Sequence, residues 1–319
     1  MIETVMSVQM PVGLPIKVKK NRLEPDRVRE DMPRVSILAG VHGDELQGQY
    51  ICYEIIRRIK ENRESLKGIV DVYPCLNPIA MEVRNRNTPG ASIDMNAVFP
   101  GSRHGHTVEY MAAEILKDLE GSDFCIDIHS SDIFLQEIPQ IRLPENAGKK
   151  VLDVAQKAGL ALVWINGDAS SVKEGSLAYS LKRNGIPNLV IESGIALKIN
   201  YEYCHRIIDS IFSILRDLNL FQGNVVYKKK TFIARKNEVD YVHCDNSGIF
   251  VPKAEIGSFV RKGQIIGSIV RPILGAQIQE ILSPCDGMIF SLREYPAVCE
   301  GELLARICHM ERPGGKYEE

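Results

Sequence analysis

Residues 35–45 read VSILAGVHGDE, an apolar β-favouring run that breaks at a glycine-bounded turn, and the residues from Glu45 to Asn62 then take up a helical period. This is a strand, a tight turn and a helix in succession. The same alternation recurs along the chain. Strands are expected at Val35–Ala39, Ile69–Pro74, Phe124–Ile128, Leu160–Ile165 and Asn188–Ile191. Helices are expected at Glu45–Asn62, Val108–Leu119, Ala147–Ala158, Ser176–Asn184 and Tyr201–Leu218. Strands separated by helices imply right-handed crossovers and a largely parallel sheet covered on both faces. The expected core is α/β.

After about residue 222 the texture changes to short β-like runs punctuated by glycine, as in Gly248-Ile-Phe-Val, Gly257-Ser-Phe-Val, Gly263-Gln-Ile-Ile-Gly267 and Gly287-Met-Ile-Phe. Regular turn signals without a helical period predict a small all-β domain. The chain of 319 residues is thus divided into domains at 1–222 and 223–319. The opening 34 residues are rich in proline and charge and are read as adding one edge strand. Residues 311–319, ERPGGKYEE, read as a frayed tail.

Composition removes several function classes. With 45% hydrophobic and 25% charged residues the chain is an ordinary globular protein, which excludes disorder, collagen and coiled coil. A net charge of -2 lacks the basic surplus that phosphate-backbone binding needs, and the one basic run, Lys228–Lys230, reads as a solvated strand end, so no nucleic-acid partner is expected. No apolar stretch approaches the length of a spanning helix and the N-terminus lacks a leader pattern, so the expectation is a cytoplasmic protein with no membrane partner. The eight cysteines include no C-x-x-C pair, and several sit in apolar runs such as Phe124-Cys125-Ile126, which reads as buried reduced thiols.

The chemistry concentrates at strand ends. His42 and Glu45 follow the first strand, three residues apart; if the turn runs into a helix they share one face and can meet one cation. His129 ends the Phe124 strand and Glu192 ends the Asn188 strand. Ligands of open α/β sheets bind outside the carboxyl ends of the strands, where these residues fall. Each has a plain alternative: a structural histidine, an acid favoured by a helix N-terminus, a carboxylate that is simply paired or solvated. Their joint placement at three strand ends makes a metal site the better reading. His104, His106, His205, His243 and His309 lack such placement and are left outside the site.

The chain resembles the succinylglutamate desuccinylase and aspartoacylase family, deacylases related in fold to zinc carboxypeptidases. The resemblance is carried by Gly40-Val-His-Gly-Asp-Glu45, Asn77-Pro78-x-Ala80, Arg86-Asn-Thr-Pro89, Asp94-Met-Asn-Ala-Val-Phe-Pro-Gly101, Asp127-Ile-His129 and Gly185-Ile-Pro-Asn-Leu-Val-Ile-Glu192. It implies a mixed, mostly parallel sheet flanked by helices, and one zinc ion held by His42, Glu45 and His129 with water in the open position. It further implies Glu192 as general base and Arg86 as the oxyanion donor, with Arg84 as the competing donor. Asp94 is expected to orient a histidine and Asn96 to bind substrate. The implied reaction is hydrolysis of a linear, non-peptide amide in a small N-acyl substrate.

One position departs from the family. Members commonly carry arginine after the asparagine of the Asp94 motif, where it forks onto a substrate carboxylate; here the residue is Ala97. Arg103 and Arg142 are the candidates for compensation. The C-terminal region resembles a biotinyl/lipoyl-like domain in Gly257-x-x-Val-x-Lys-Gly263 and Ser283-Pro-x-x-Gly287, but the intervening tip, Arg271-Pro-Ile-Leu-Gly275, holds no carrier lysine. A domain that narrows the pocket or supports a homo-oligomer is the expectation instead. The competing readings are a carboxypeptidase-like hydrolase of a small peptide and a catalytically silent metal-binding or ligand-sensing protein.

Overall fold

The computed structural model describes residues 1–11, 13–90, 92–165, 172–223 and 231–310; the Lys228–Lys230 run and the 311–319 tail lie outside the described residues. The chain forms two compact units. The first comprises Met1–Ser130, Pro139–Glu192 and Ala196–Ile233, and the second Ser131–Ile138, Ser193–Ile195 and Ala234–Glu319.

The first unit contains β1 (Ile2–Gln9), β2 (Pro15–Leu23), β3 (Arg34–Ala39), α1 (Gln47–Glu61), β4 (Ile69–Tyr73), α2 (Pro78–Glu82), α3 (Thr107–Asp118) and β5 (Phe124–Ser130). It continues with β6 (Leu135–Leu143, from Pro139 on), α4 (Lys149–Lys157), β7 (Leu162–Ile165), α5 (Leu177–Arg183), β8 (Asn188–Gly194, to Glu192) and α6 (Tyr201–Asp217). The strands run in the order β1-β2-β4-β3-β5-β8-β6, with β7 beside β6. β3 is parallel to both β4 and β5, and β6 to β7, whereas β1–β2 and β2–β4 are antiparallel. The sheet is therefore mixed.

Period-2 alternation divides its side chains between two cores. Val35, Ile37 and Ala39 of β3, with Phe124, Ile126 and Ile128 of β5, pack in one core with Ile51 and Ile55 of α1 and Ile207 and Ile211 of α6. Leu38 and Cys125, facing the other way, join Met111 and Ile115 of α3 and Leu177 and Leu181 of α5. Two differences from the sequence reading matter. The opening segment supplies a hairpin of two strands instead of one edge strand, and β6 is an additional strand that periodicity does not reveal.

A buried charge cluster ties the antiparallel strands to the parallel ones. The Asp71 carboxylate of β4 is fully buried, accepts two 2.8 Å bonds from Arg22 of β2 and one of 2.8 Å from Arg34 of β3, and has Lys20 at 3.6 Å. Such a charge is tolerable in the interior only because it is paired on several sides.

The chain leaves the first unit in β9 (Phe232–Arg235) and enters the second. The second unit holds β10 (Val239–His243), β11 (Gly248–Pro252), β12 (Phe259–Val260), β13 (Ile265–Arg271), β14 (Ala276–Leu282), β15 (Gly287–Arg293), β16 (Ala297–Val298) and β17 (Leu303–His309). Among the described residues its strand pairs are antiparallel. β15 pairs with β12, with β17 and with residues 135–137; β17 pairs with β10; and β14-β13-β11-β16 form a separate sheet. Phe250, Ile266, Ile269, Ile281, Leu304 and Ile307 fill its core. The tip between β13 and β14 is turned by Gly275 at φ +58° and exposes Ile273.

Candidate metal centre

The register of the parallel strands assembles the site. Ala39 pairs with Ile128, so β3 ends one residue before the level of His129 near the end of β5, and the loop after β3 starts beside that histidine. β8 is the next strand after β5, and it brings Glu192 to the same edge. The loop itself is locked from both sides. Gly40 takes φ +70°, a conformation glycine adopts without a Cβ penalty. A Cβ on Gly43 would stand 2.0 Å from the carbonyl carbon of Ala80, so only glycine allows that approach. Asn77 caps α2 by accepting from the Ala80 amide, donates to Thr88 at 2.9 Å, and gives its own amide to the Gly40 carbonyl at 2.8 Å. The Leu197 amide donates to the Asp44 carbonyl at 2.8 Å. The Asn77-Pro78-x-Ala80 motif thus acts as the buttress of the histidine loop.

The helix after this loop begins at Gln47, so His42 and Glu45 precede it and meet across the turn, not along a helical face. His42 Nδ1 is 2.6 Å from Glu45 Oε1, and His129 Nδ1 is 3.0 Å from Glu45 Oε2. The Ser130 amide also donates to Glu45 Oε2, at 3.1 Å. Behind the rings, His42 Nε2 lies 3.1 Å from Asp94 Oδ1 and His129 Nε2 lies 3.0 Å from Asp127 Oδ2. Asp127 and His129 alternate with Ile128 on β5 and so share a face. Asp94 is itself set by accepting the Asn96 amide at 2.8 Å at the start of a short turn of 3₁₀ helix.

This arrangement fits a divalent ion. Two imidazoles and one carboxylate, each at most 3% exposed, converge through both Nδ1 atoms, while each outer nitrogen is held by its own carboxylate. An N–H directed to that carboxylate fixes the tautomer in which the inner nitrogen offers its lone pair, a common device for histidine ligands. The carboxylates and imidazoles also shift one another's titration, and a bound ion would take the place of the protons that these pairings favour. Burial works to raise the Glu45 carboxyl, but the two imidazoles hold it well below the usual range. Burial opposes charge on His129, yet Asp127 and Glu45 outweigh it and raise the ring's pKa well above the ordinary value. Burial raises Asp94 as well, and His42 and Arg86 bring it down to about 2.

The remaining expected residues fall in different places. Arg86 reaches the centre: Nη1 is 3.5 Å from Glu45 Oε1 and Nη2 is 3.2 Å from Asp94 Oδ2. Arg84, the competing donor, is exposed at φ +53°. Glu192 is buried and paired with Arg142 of β6, Nη1 to Oε2 at 3.0 Å, and it is close enough to Arg86 to influence that guanidinium. Arg142 in turn lies 5.3 Å from the Trp164 ring centre. The side-chain carbonyl of Asn96 accepts the Leu177 amide at 2.9 Å, at the start of α5. Arg103 is half-exposed and directed to Glu114 of α3 at 2.7 Å. Ala97 is exposed at the end of the 3₁₀ turn. Sequence reasoning missed Asp127 as a ring-orienting group, although the D-x-H spacing on a strand carries the signal. It also missed the Arg142–Glu192 pair, which joins residues fifty apart on two strands and leaves no local trace.

None of the described helices is long and apolar enough to cross a membrane. Among solved structures, a succinylglutamate desuccinylase/aspartoacylase from Rhodobacter sphaeroides is similar at 20% identity and TM-score 0.80, over 96% of this chain and 95% of that one. The product-bound ectoine utilization protein EutE (DoeB) from Ruegeria pomeroyi is similar at 16% identity and TM-score 0.81, over 96% and 94%. An aspartoacylase family protein from Mesorhizobium loti is similar at 20% identity and TM-score 0.78, over 98% and 96%. None of the curated proteins matches the chain. The succinylglutamate desuccinylase/aspartoacylase catalytic domain matches residues 31–218, more than half of the sequence and the whole of the stretch that builds the centre. The chain belongs to the succinylglutamate desuccinylase/aspartoacylase family of hydrolytic deacylases.

Proposed function

We propose that the protein is a zinc-dependent amidohydrolase that cleaves the amide bond of a small N-acylated amino acid or amine, releasing a carboxylate and a free amine. The observation that carries this reading is the convergence of His42 Nδ1 and His129 Nδ1 on Glu45, with Asp94 and Asp127 behind the rings. Zinc bound in this donor set would polarise the substrate carbonyl and bring the pKa of water to about 7. Glu192 takes the proton of the attacking water and hands it to the departing nitrogen. Arg142 fixes the Glu192 carboxylate for that transfer. Arg86 donates to the oxyanion that develops on the carbonyl oxygen.

Substrate recognition falls to Asn96 in this reading. Its carbonyl is committed to Leu177, and its amide NH2 makes no hydrogen bond among the described residues, so it can donate to a substrate oxygen. Arg142 is assigned to positioning because it is engaged by Glu192, and Arg103 would have to leave Glu114 to serve. With alanine at position 97, the substrate lacks the carboxylate that the family's arginine binds, or presents it to another cation. The reading places the chemistry in residues 1–222 with a zinc-carboxypeptidase-like arrangement, in a cytoplasmic enzyme. It gives residues 223–319, a biotinyl/lipoyl-like arrangement without a carrier lysine, a supporting role.

The test is hydrolysis of a panel of N-acyl amino acids and N-acyl amines by metal-loaded protein, with Glu192→Gln as the blank. General-base catalysis contributes about 10²–10⁴-fold, so the variant should lose about that factor in kcat with its metal content unchanged. A Glu192→Gln enzyme at full rate refutes the base assignment. Zinc bound without hydrolysis of any panel member refutes the enzyme reading.

A further inference from the structure

The second unit carries another group of donors, of different chemistry, at one end of its core. β10 and β17 pair with Asp240 opposite Ile307, and β15 and β17 pair with Gly287 opposite His309. Asp240 is therefore the diagonal neighbour of His309 on one face of the ladder. Cys285 lies in the turn two residues before Gly287, on the other flank of the imidazole. Gly287 brings no side chain across from His309, and a Cβ there would stand 2.2 Å from the Cys308 carbonyl oxygen. Ile307, one step further in on the same face, is fully buried in the core, whereas Asp240 and Cys285 are half-buried and His309 is exposed. Where another apolar layer would close the core, the chain puts a carboxylate, a thiol and an imidazole.

The three groups are clustered. His309 Nε2 is 2.9 Å from Asp240 Oδ2, and Cys285 stands beside that pair. One donor atom from each residue lies within 4.8 Å of the other two. Ligands about 2.0–2.3 Å from a tetrahedral ion stand about 3.3–3.6 Å from one another, so small side-chain rotations would bring these atoms to ligand spacing. An isolated exposed histidine–aspartate pair would explain two of the three residues and be worth little. It gives no account of the thiol.

We propose that Asp240, Cys285 and His309 form a second divalent-metal site, distinct in its residues from the His42–Glu45–His129 centre. Thiolate, imidazole and carboxylate together select zinc and its chemical relatives over magnesium or calcium. With His309 exposed, a fourth position on such an ion would be open to water. Binding replaces the thiol proton by the ion and releases that proton to water; no electron moves. Such an ion would clip β10 and β17 to the turn that enters β15.

Cobalt(II) titration of the full chain separates this site from the first, because only a thiolate ligand gives a near-ultraviolet sulfur-to-cobalt charge-transfer band. The expected result is two equivalents of cobalt per chain, with the band saturating at one of them. Cys285→Ser should abolish the band and one equivalent while hydrolysis persists. His309→Gln, at an exposed position, should weaken the band's half-saturation at least tenfold, and His129→Gln should keep the band while losing the other equivalent. Absence of the band in the unmodified protein, or its survival in Cys285→Ser, would overturn the proposal. Neither result bears on the hydrolytic reading, which rests on ligands without sulfur.

Discussion

Replacing Asp127 by Asn isolates the contribution of the group behind the second imidazole. The Asp127 carboxylate is fully buried, and its Oδ2 is 3.0 Å from His129 Nε2, while His129 Nδ1 faces Glu45. The substitution keeps the shape and removes the charge. It thereby weakens the hold on the outer N–H and the basicity of the inner nitrogen. Losing such an outer partner costs about 10–100-fold in metal affinity, which is about 1.4–2.8 kcal/mol. Competition for zinc against a chromophoric chelator reads this directly, and the melting curve of the metal-free variant checks that the fold is kept. The expected outcome is a weakened zinc affinity in that range, with a parallel but separate loss in Asp94→Asn, since Asp94 serves the other ring at 3.1 Å. Unchanged affinity in a folded Asp127→Asn protein would refute the reasoning that this carboxylate prepares His129 as a ligand.

Two further outcomes follow from other parts of the molecule. Burial raises the Asp71 carboxyl, but the bond from Arg22 and the charges of Arg34 and Lys20 bring it below the usual value. A depressed folded value means that the stabilisation is complete above the unfolded pKa of about 4 and is lost as pH falls through the folded one. Asp71→Asn should cost about 3–5 kcal/mol near neutral pH by removing the buried anion that Arg22, Arg34 and Lys20 share, and the gap to the unmodified protein should narrow below about pH 4 in denaturant titrations. A constant gap down to strongly acid pH would contradict the assignment. Ala97→Arg places a guanidinium on an exposed turn end beside Asn96; charge-assisted bonds of about 1.5–3 kcal/mol should raise kcat/KM for N-acyl aspartate or glutamate by about 10–100-fold. Equal activity of the two proteins on those substrates would remove position 97 from the account of specificity.

The parts of the centre that the sequence disclosed are those set by strand ends. His42, Glu45, His129 and Glu192 each follow or close an apolar run, and a parallel register brings such residues together whatever the intervening lengths. The parts it concealed depend on partners far along the chain. β2 contains Lys19, Lys20, Asn21 and Arg22, which hide its alternation, because Lys20 is buried against the carboxylates of Asp118, 98 residues away, Glu3 and Asp71. β6 reads LQEIPQIRL, with a proline and four polar residues, although most of it is buried; Arg142 is accommodated there by Glu192 and Trp164. The start of α1 was displaced for a local reason. Leu46 occupies the cap position without a side-chain cap, so no residue signals that the helix begins at Gln47 and not at Glu45.

Anomalous diffraction at the zinc absorption edge, on crystals of the full chain grown with zinc, asks the decisive question of which atoms hold the ion. The account predicts a peak about 2.0–2.2 Å from His42 Nδ1, His129 Nδ1 and a Glu45 carboxylate oxygen, with Asp94 and Asp127 still on the Nε2 atoms. A peak coordinated through the Nε2 atoms, or none between these three side chains, would contradict it.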